Sequence, residues 1–226
     1  MKPVNKKEIT HIESVSDQLS IYTLDNYKKY ILNIGEFNNN KPSIFKIFNE
    51  LSMIDVEKDV LEINVASIGG FIVEMQQYIN LLTDLETRFV KADRLSSINI
   101  KITSHASSSG AYTFIALSNR YIYPNSRIMF HHATGSVQGL MHKQVDKVKF
   151  TKKHLDKVMS TVKRFLTKKE WKQLCNGKDH WYTAEDMLER GICTGIYIDG
   201  ILYNNKKGIK KLKKYRSKNN KYFKKK

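Results

Sequence analysis

Residues 98–117 read INIKITSHASSSGAYTFIAL, and this stretch carries the strongest signals for the fold. Ile98, Ile100 and Ile102 alternate with polar residues, which is the period of a β-strand with one buried face. A serine-rich turn follows, and residues 111–117 are apolar on all sides, as in a helix buried in a core. The stretch therefore predicts a strand that leads through a tight polar turn into a buried helix.

The alternation of strands and helices continues on both sides of this stretch. The hydrophobic patterns predict strands at residues 27–34, 60–65, 121–123 and 127–130, and helices at 43–51, 71–82, 140–166, 167–176 and 183–191. The sequence shows no internal repeat. Strands that alternate with helices are typical of an α/β layer fold, which we predict for this chain.

The composition indicates one globular domain with a strongly basic end. The 226 residues are 41% hydrophobic and 27% charged, close to globular averages, and no run of about eighteen apolar residues indicates a membrane span. Lysine and arginine total 39 against 22 acidic residues, but residues 206–226 hold 12 of the basic residues and no acid. We therefore predict a flexible N-terminal arm at 1–25, a folded domain at 26–203 and a basic, disordered tail at 204–226.

The cysteine content and the N-terminal sequence bear on the cellular compartment. Cys175 and Cys193 are too few for a disulfide scaffold or, by themselves, for a zinc site. The N-terminus, MKPVNKKE, lacks the apolar core of a secretory signal. These observations predict two reduced thiols and a cytoplasmic location.

The serine-rich turn is the clearest candidate for chemistry. A hydroxyl held where a strand meets a helix lies beside backbone N–H groups that can stabilise an oxyanion. Serine needs an imidazole base, and the base needs a group that fixes its tautomer. His131 or His132, at the end of an apolar strand, and Asp179, in a polar loop, are candidates. Spacing alone favours a simpler interpretation, in which the serines cap a helix and the histidines lie on the surface.

Four motifs in colinear order resemble those of a known family. They are NVASIGG at 64–70, ASSSGA at 106–111, PNSRIMFH at 124–131 and GSVQG at 135–139. Through them the chain resembles the proteolytic subunit of Clp protease, from about residue 30 to about residue 192. The resemblance implies a stacked β-sheet spiral of the ClpP/crotonase type, with surrounding helices and a long handle helix at 140–166.

The resemblance assigns three residues to a serine-protease mechanism. Ser108 corresponds to the nucleophile, His131 to the general base and Asp179 to the acid that orients the histidine. Asp179 stands five residues before Ala184, as in the family, but His180 replaces the arginine that usually follows the acid. The implied reaction is peptide-bond hydrolysis through an acyl-enzyme, with no metal and no cofactor.

The resemblance also assigns the oxyanion hole, at a place where this sequence departs from the family. The corresponding backbone N–H groups belong to Gly70, or to Gly69, and to Ser109. The link at residues 65–68 is two residues longer than usual, which could move these donors. Ser104 stands where the family has a glycine, and the segment from Ser108 to His131 is about two residues shorter. Such departures, with the lysine- and asparagine-rich composition, are typical of a divergent copy, for example a phage-encoded one.

The resemblance further implies partners. The family forms heptameric rings that stack into a closed chamber, so we predict a ring-forming homo-oligomer that acts on protein substrates and can work with an ATP-dependent unfoldase. No membrane is implied. The basic tail, with 12 positive charges among residues 206–226, could be a solvated extension, could dock on an acidic partner or could bind nucleic acid.

The predicted function is therefore that of a serine endopeptidase, with two alternatives. The same fold serves catalytically inactive ring subunits, and the lengthened loop before Gly69 could spoil the oxyanion hole. A phage-encoded member could instead process capsid or scaffold proteins during head maturation. The fold also serves acyl-CoA enzymes, but such an enzyme has no need for a serine, a histidine and an aspartate together.

Overall fold

A computed structural model of the chain describes residues 9–37, 41–132, 153 and 156–223. In these residues ten strands belong to one sheet, and the predicted α/β architecture is confirmed. The strands are β1 (Ile9–Ser14), β2 (Leu19–Leu24), β3 (Lys28–Ile34), β4 (Val60–Ser67), β5 (Ile98–Ser107), β6 (Arg120–Ile122), β7 (Arg127–Phe130), β8 (His180–Thr183), β9 (Gly195–Ile198) and β10 (Ile201–Asn204). The helices are α1 (Lys41–Ser52), α2 (Ile72–Lys91), α3 (Ser109–Phe114), α4 (Lys168–Cys175), α5 (Ala184–Glu189) and α6 (Asn205–Phe223).

Parallel strands form the centre of the sheet, in the order β3-β4-β5-β6-β9. The first five residues of β5 are all buried, as expected for a central strand that is covered on both faces. α2 follows β4 and is longer than the sequence predicts, because its apolar spacing continues from Met75 to Phe89. Its buried residues recur every three or four positions, so one face of α2 packs on the core.

β5 changes partners along its length, and this change positions the candidate site. Its first half pairs with β6, at residues 100–102, and its second half pairs with β7, at residues 105–107. The register of β5 against β4 shifts between the two halves. Because β7 is parallel to β5 and antiparallel to β8, the ends of β5 and β7 and the start of β8 lie at one edge.

The N-terminal end differs from the sequence prediction. The sequence predicts a flexible arm at 1–25, whereas residues 9–24 contain β1 and β2, which extend the sheet by antiparallel pairing with β3. Leu19 and Ile21 of β2 are buried in the core. The sequence pattern does not predict β1 and β2, because the apolar alternation of β2 is short and its burial depends on the neighbouring strand rather than on local pattern.

The C-terminal end also differs from the sequence prediction. The sequence predicts a disordered tail from residue 204, whereas residues 205–223 form α6. Leu212 of this helix is completely buried, and Arg216 forms an ion pair with Glu185 of α5. These contacts are with distant parts of the chain, so the lysine-rich composition did not reveal them. Within the described part of the chain, no helix has the length and apolar character that a membrane span requires.

The predicted handle helix at 140–166 lies mostly outside the described residues, as does the GSVQG motif at 135–139. Of its C-terminal part, residues 156–160 are helical, and Lys163–Phe165 form a 3₁₀ turn. The α-helix therefore ends before Leu166. Met159 and Val162 are buried, so this part of the chain packs on the core of its own subunit.

Candidate active site

Ser108 occupies a strained turn between β5 and α3. Its backbone angles are φ 53° and ψ −124°, a conformation that costs a non-glycine residue about 1–3 kcal/mol. The Ser108 N–H donates to the Met129 carbonyl at 3.0 Å, and the Ser108 carbonyl accepts from the N–H groups of Ala111 and Tyr112. Both main-chain groups of Ser108 are thus held in place, which fixes the hydroxyl at the start of α3.

The structure brings the side chains of Ser108 and His131 together. The distance between Ser108 Oγ and His131 Nε2 is 2.6 Å, a short hydrogen bond. His131 is the residue directly after β7, and β7 is paired with the end of β5 that leads into Ser108. The contact therefore follows from strand pairing between residues that are distant in sequence, and it places a base beside the hydroxyl.

Tyr112 supports His131 from the following helix. Its hydroxyl donates to the main-chain carbonyl of His131 at 3.2 Å. Burial raises the pKa of Tyr112 well above its usual value, so the hydroxyl stays protonated and remains a donor. Sequence reasoning missed this residue. The only signal in the sequence is its position four residues after Ser108, which is one helical turn.

Asp179 directly precedes β8 and forms no hydrogen bond with His131. The antiparallel ladder of β7 and β8 ends with the pair Phe130 and His180, and His131 and Asp179 are the next residues beyond that pair. The Asp179 side chain is exposed, and no hydrogen bond joins the two side chains, both of which belong to the described residues. The structure thus brings Ser108 and His131 together, but it shows no hydrogen bond between the Asp179 carboxylate and the imidazole.

The glycine pair is built into a close approach of two chain segments. Gly69 has φ 113° and Gly70 has φ 132°, which disfavour any other residue. A Cβ atom on Gly69 would lie 2.6 Å from the Ser108 Cβ atom, and one on Gly70 would overlap the Phe37 carbonyl. The Phe37 N–H donates a hydrogen bond to the Gly69 carbonyl, and the Phe37 carbonyl accepts one from the Phe71 N–H. Hydrogen bonds to Phe37 therefore flank Gly70 on both sides. These contacts fix the glycine pair against the nucleophile turn.

The candidate oxyanion donors differ in whether their N–H groups are already used. The Gly69 N–H donates to the Ser67 hydroxyl at 3.1 Å. The N–H groups of Gly70 and Ser109 donate no hydrogen bond to any described residue. The Ser109 hydroxyl donates to the Gly70 carbonyl at 2.8 Å, which ties the two segments together. Gly70 and Ser109 are therefore the two residues whose backbone donors can receive an oxyanion, whereas Gly69 is committed elsewhere.

A cavity of about 460 Å³ lies beside this site. Tyr112 and Val158 line both this cavity and the immediate surroundings of Ser108 and His131. Apolar side chains, among them Ile79 and Ile115, form much of its wall. Ser108 and His131 themselves line a much smaller depression of about 20 Å³, which shares Tyr112 and Val158 with the larger cavity.

Comparison with known proteins identifies the family. The sequence profile of the Clp protease family matches residues 25–199. The chain belongs to the Clp protease family. Its fold is accordingly the Clp protease fold, and the family is one of peptidases. A comparison with curated protein sequences finds no match.

The family match includes all the site residues predicted from the sequence and stops short of both ends of the fold. β1 and β2 precede the matched region, and β10 and α6 follow it. These elements are therefore additions to the region that defines the family. Among the residues that the structure describes, no cluster of histidine, cysteine and acidic side chains could hold a metal ion.

Proposed function

We propose that this Clp protease family member is a serine endopeptidase that hydrolyses peptide bonds through an acyl-enzyme on Ser108. The observation that carries this proposal is the 2.6 Å hydrogen bond between Ser108 Oγ and His131 Nε2. Serine becomes an effective nucleophile only when a base at this distance can take its proton. The strained backbone of Ser108 supports the same conclusion, since such strain concentrates at functional sites.

The proposed mechanism has two symmetrical steps. In the first, Ser108 Oγ attacks the substrate carbonyl while His131 Nε2 takes the hydroxyl proton, and the N–H groups of Gly70 and Ser109 stabilise the tetrahedral oxyanion. His131 then gives the proton to the leaving amine, and an acyl-enzyme remains. In the second step a water molecule attacks the ester in the same way, with His131 again as the base, and Ser108 is released.

Asp179 is proposed as the group that orients His131. When Nε2 accepts the serine proton, Nδ1 carries the other proton and needs an acceptor. The position of the two residues supports this role, since His131 and Asp179 directly adjoin the last pair of the β7–β8 ladder, Phe130 and His180. The carboxylate would then fix the tautomer and stabilise the imidazolium that forms during attack.

We also propose that the active subunit is part of a ring of identical copies, in the cytoplasm, and that an ATP-dependent unfoldase can feed it. Membership of the Clp protease family supports assembly of this kind in general. Several large apolar side chains near the site are exposed in the single subunit, among them Phe71, Val73 and Trp181. Cys175 and Cys193 form no disulfide, which suits a reducing compartment.

Covalent labelling with a fluorophosphonate probe tests the proposed nucleophile. A competent Ser108 should be modified, and Ser108→Ala should abolish the label and lower peptidase activity by roughly four orders of magnitude. Ser104→Ala is the matched control, because Ser104 is an exposed serine of the same strand and should leave labelling unchanged. Labelling that persists in Ser108→Ala would refute the assignment.

The same experiment separates the proposal from its alternatives. A folded, oligomeric chain that no probe modifies would be an inactive ring subunit, as the lengthened loop at 65–68 allows. A labelled chain that cleaves capsid or scaffold proteins but not general substrates would be a head-maturation protease with the mechanism proposed here.

A further inference from the structure

The exposed face of α6 consists almost entirely of lysine. Between residues 206 and 218, every exposed residue is a lysine except Ser217. The exposed lysines are Lys206, Lys207, Lys210, Lys211, Lys213, Lys214 and Lys218. At the helical rise of about 1.5 Å per residue, this lysine face extends for about 18 Å along the helix. It is therefore a continuous strip of positive charge.

The lysine face is held in a fixed position on the protein. Leu212 is completely buried, and Ile209 and Tyr215 pack against the hydrophobic core from the same helix. Arg216 is tied to Glu185 by an ion pair and donates to the Pro124 carbonyl. α6 is therefore docked along one side, and the charges on its other side are presented by a helix that is already ordered.

The lysine face has no counter-charge among the residues that the structure describes. None of its lysines forms an ion pair with any described residue, and the ion pair of α6 belongs to Arg216. The chain outside residues 206–226 carries 27 basic residues against 22 acidic ones. A second copy of the chain is therefore basic as well, and it is not the electrostatic complement of this surface.

We propose that the lysine face of α6 binds the phosphate backbone of nucleic acid without sequence specificity. Protein–protein interfaces are depleted in lysine and rely on buried aromatic or aliphatic anchors, and this face offers no exposed apolar side chain. Nucleic-acid interfaces are polar and strongly positive, and lysines neutralise phosphates as point charges. Between residues 206 and 218, the part of α6 whose side chains are described, no aromatic side chain is exposed, which favours duplex over single strands because single-strand binding relies on base stacking.

Binding of the full-length chain to a fluorescent DNA duplex of mixed sequence tests this proposal. If about five lysines contact phosphates, the slope of log affinity against log salt is about −4.5, and affinity falls about 500-fold between roughly 50 and 200 mM salt. The triple variant Lys207→Gln, Lys214→Gln, Lys218→Gln should reduce the steepness of this slope by about 2.7 and weaken binding equally for unrelated sequences. Glutamine keeps helix propensity, so α6 should remain folded.

A second triple variant removes the same charge elsewhere. Lys46→Gln, Lys91→Gln, Lys172→Gln changes exposed lysines of α1, α2 and α4, and it should leave the slope unchanged. Equal loss of affinity in the two triple variants would overturn the proposal, because net charge rather than the lysine face would then explain binding. Binding to single strands alone, or equally tight binding to poly-glutamate or to anionic lipid vesicles, would also overturn it.

Discussion

Tyr112 joins α3, which follows Ser108, to His131 at the end of β7. Its hydroxyl bonds to the His131 carbonyl, and its ring packs edge-on against Phe130 with a centroid distance of 5.8 Å. Tyr112→Phe removes the hydrogen bond and keeps the packing. We expect the loss of about 1 kcal/mol of positioning to lower kcat about fivefold with KM unchanged, as measured by steady-state peptidase kinetics.

Tyr112→Phe should disturb the position of His131 and leave the stability of the fold nearly unchanged. The rate of fluorophosphonate labelling should fall by a similar factor, while the thermal unfolding temperature changes little because the ring remains packed. Kinetics equal to those of the wild type would mean that the hydrogen bond does not position the base.

Asp179 is the site residue for which sequence and structure differ most. The resemblance implies a triad member, whereas the structure shows an exposed carboxylate with no hydrogen bond to His131. If the carboxylate orients the imidazole during catalysis, Asp179→Asn should lower kcat/KM by about a hundredfold or more, since an amide favours the wrong tautomer. Asp84→Asn, an exposed aspartate of α2, should leave kcat/KM unchanged. A loss smaller than about threefold in Asp179→Asn would leave a Ser108–His131 dyad as the site.

At the scale of secondary-structure elements, Glu170 links the start of α4 to the end of α5. Its carboxylate accepts hydrogen bonds from the N–H and hydroxyl groups of Thr167, the residue that caps α4. The same carboxylate forms a two-point ion pair with Arg190, with both N–O distances 2.9 Å. Burial raises the pKa of Glu170, but the hydrogen bonds from Arg190 and Thr167 outweigh it and lower the pKa from 4.5 to about 2. Because the folded state holds the charged form, Glu170 stabilises the protein above pH 4.5 and loses this effect as the pH falls towards 2.

Glu170→Gln should therefore destabilise the protein in a pH-dependent way. We expect the free energy of unfolding, from urea denaturation, to fall by about 2 kcal/mol at neutral pH. The difference from the wild type should narrow below pH 4.5 and vanish near pH 2. Glu189→Gln, an exposed glutamate at the end of α5, should change stability by less than about 0.5 kcal/mol at every pH. A difference that does not narrow on acidification would contradict this account of the ion pair.

Elements with local signals could be predicted from the sequence, and elements held by distant contacts could not. The starts of the helices predicted at 167–176 and 183–191 are confirmed to within one residue, because capping boxes at Thr167 and Thr183 begin them and every group in each box lies within four residues. α6 was missed because its stability depends on the burial of Leu212 and on the ion pair with Glu185, and neither is readable from a lysine-rich segment. The backbone strain at Ser108 is likewise set by its bond to Met129, which only the pairing of β5 and β7 creates.

At the scale of the whole molecule, the family motifs predict the fold better than the patterning does. Patterning alone predicts an α/β layer fold, but it does not show that β5 divides its pairing between β6 and β7. This division is what brings His131 to Ser108. The motifs at 106–111 and 124–131 predict the contact because they identify the family, and the spacing between the two residues does not.

The surface around the site is too apolar for an isolated subunit. Phe71 is 58% exposed, Val73 is 73% exposed and Trp181 is 59% exposed. Ile68 and Trp181 line one groove of about 620 Å³ beside Ser107, and Phe71 and Val73 follow Ile68 closely in the chain. Soluble monomers rarely expose such patches, and a second copy of the chain in a ring would cover them.

Assembly into a ring predicts a mass several times the 26.3 kDa of one chain in sedimentation velocity at micromolar concentration. Val73→Glu places a charge in the apolar patch without touching the core, since this side chain is largely exposed, and it should shift the distribution towards the monomer. Met53→Glu is the matched control, because Met53 is 78% exposed but lines a different depression, beside Tyr27 and Lys58. A wild-type chain that sediments strictly as a monomer, or variants that dissociate equally, would contradict assembly through this surface.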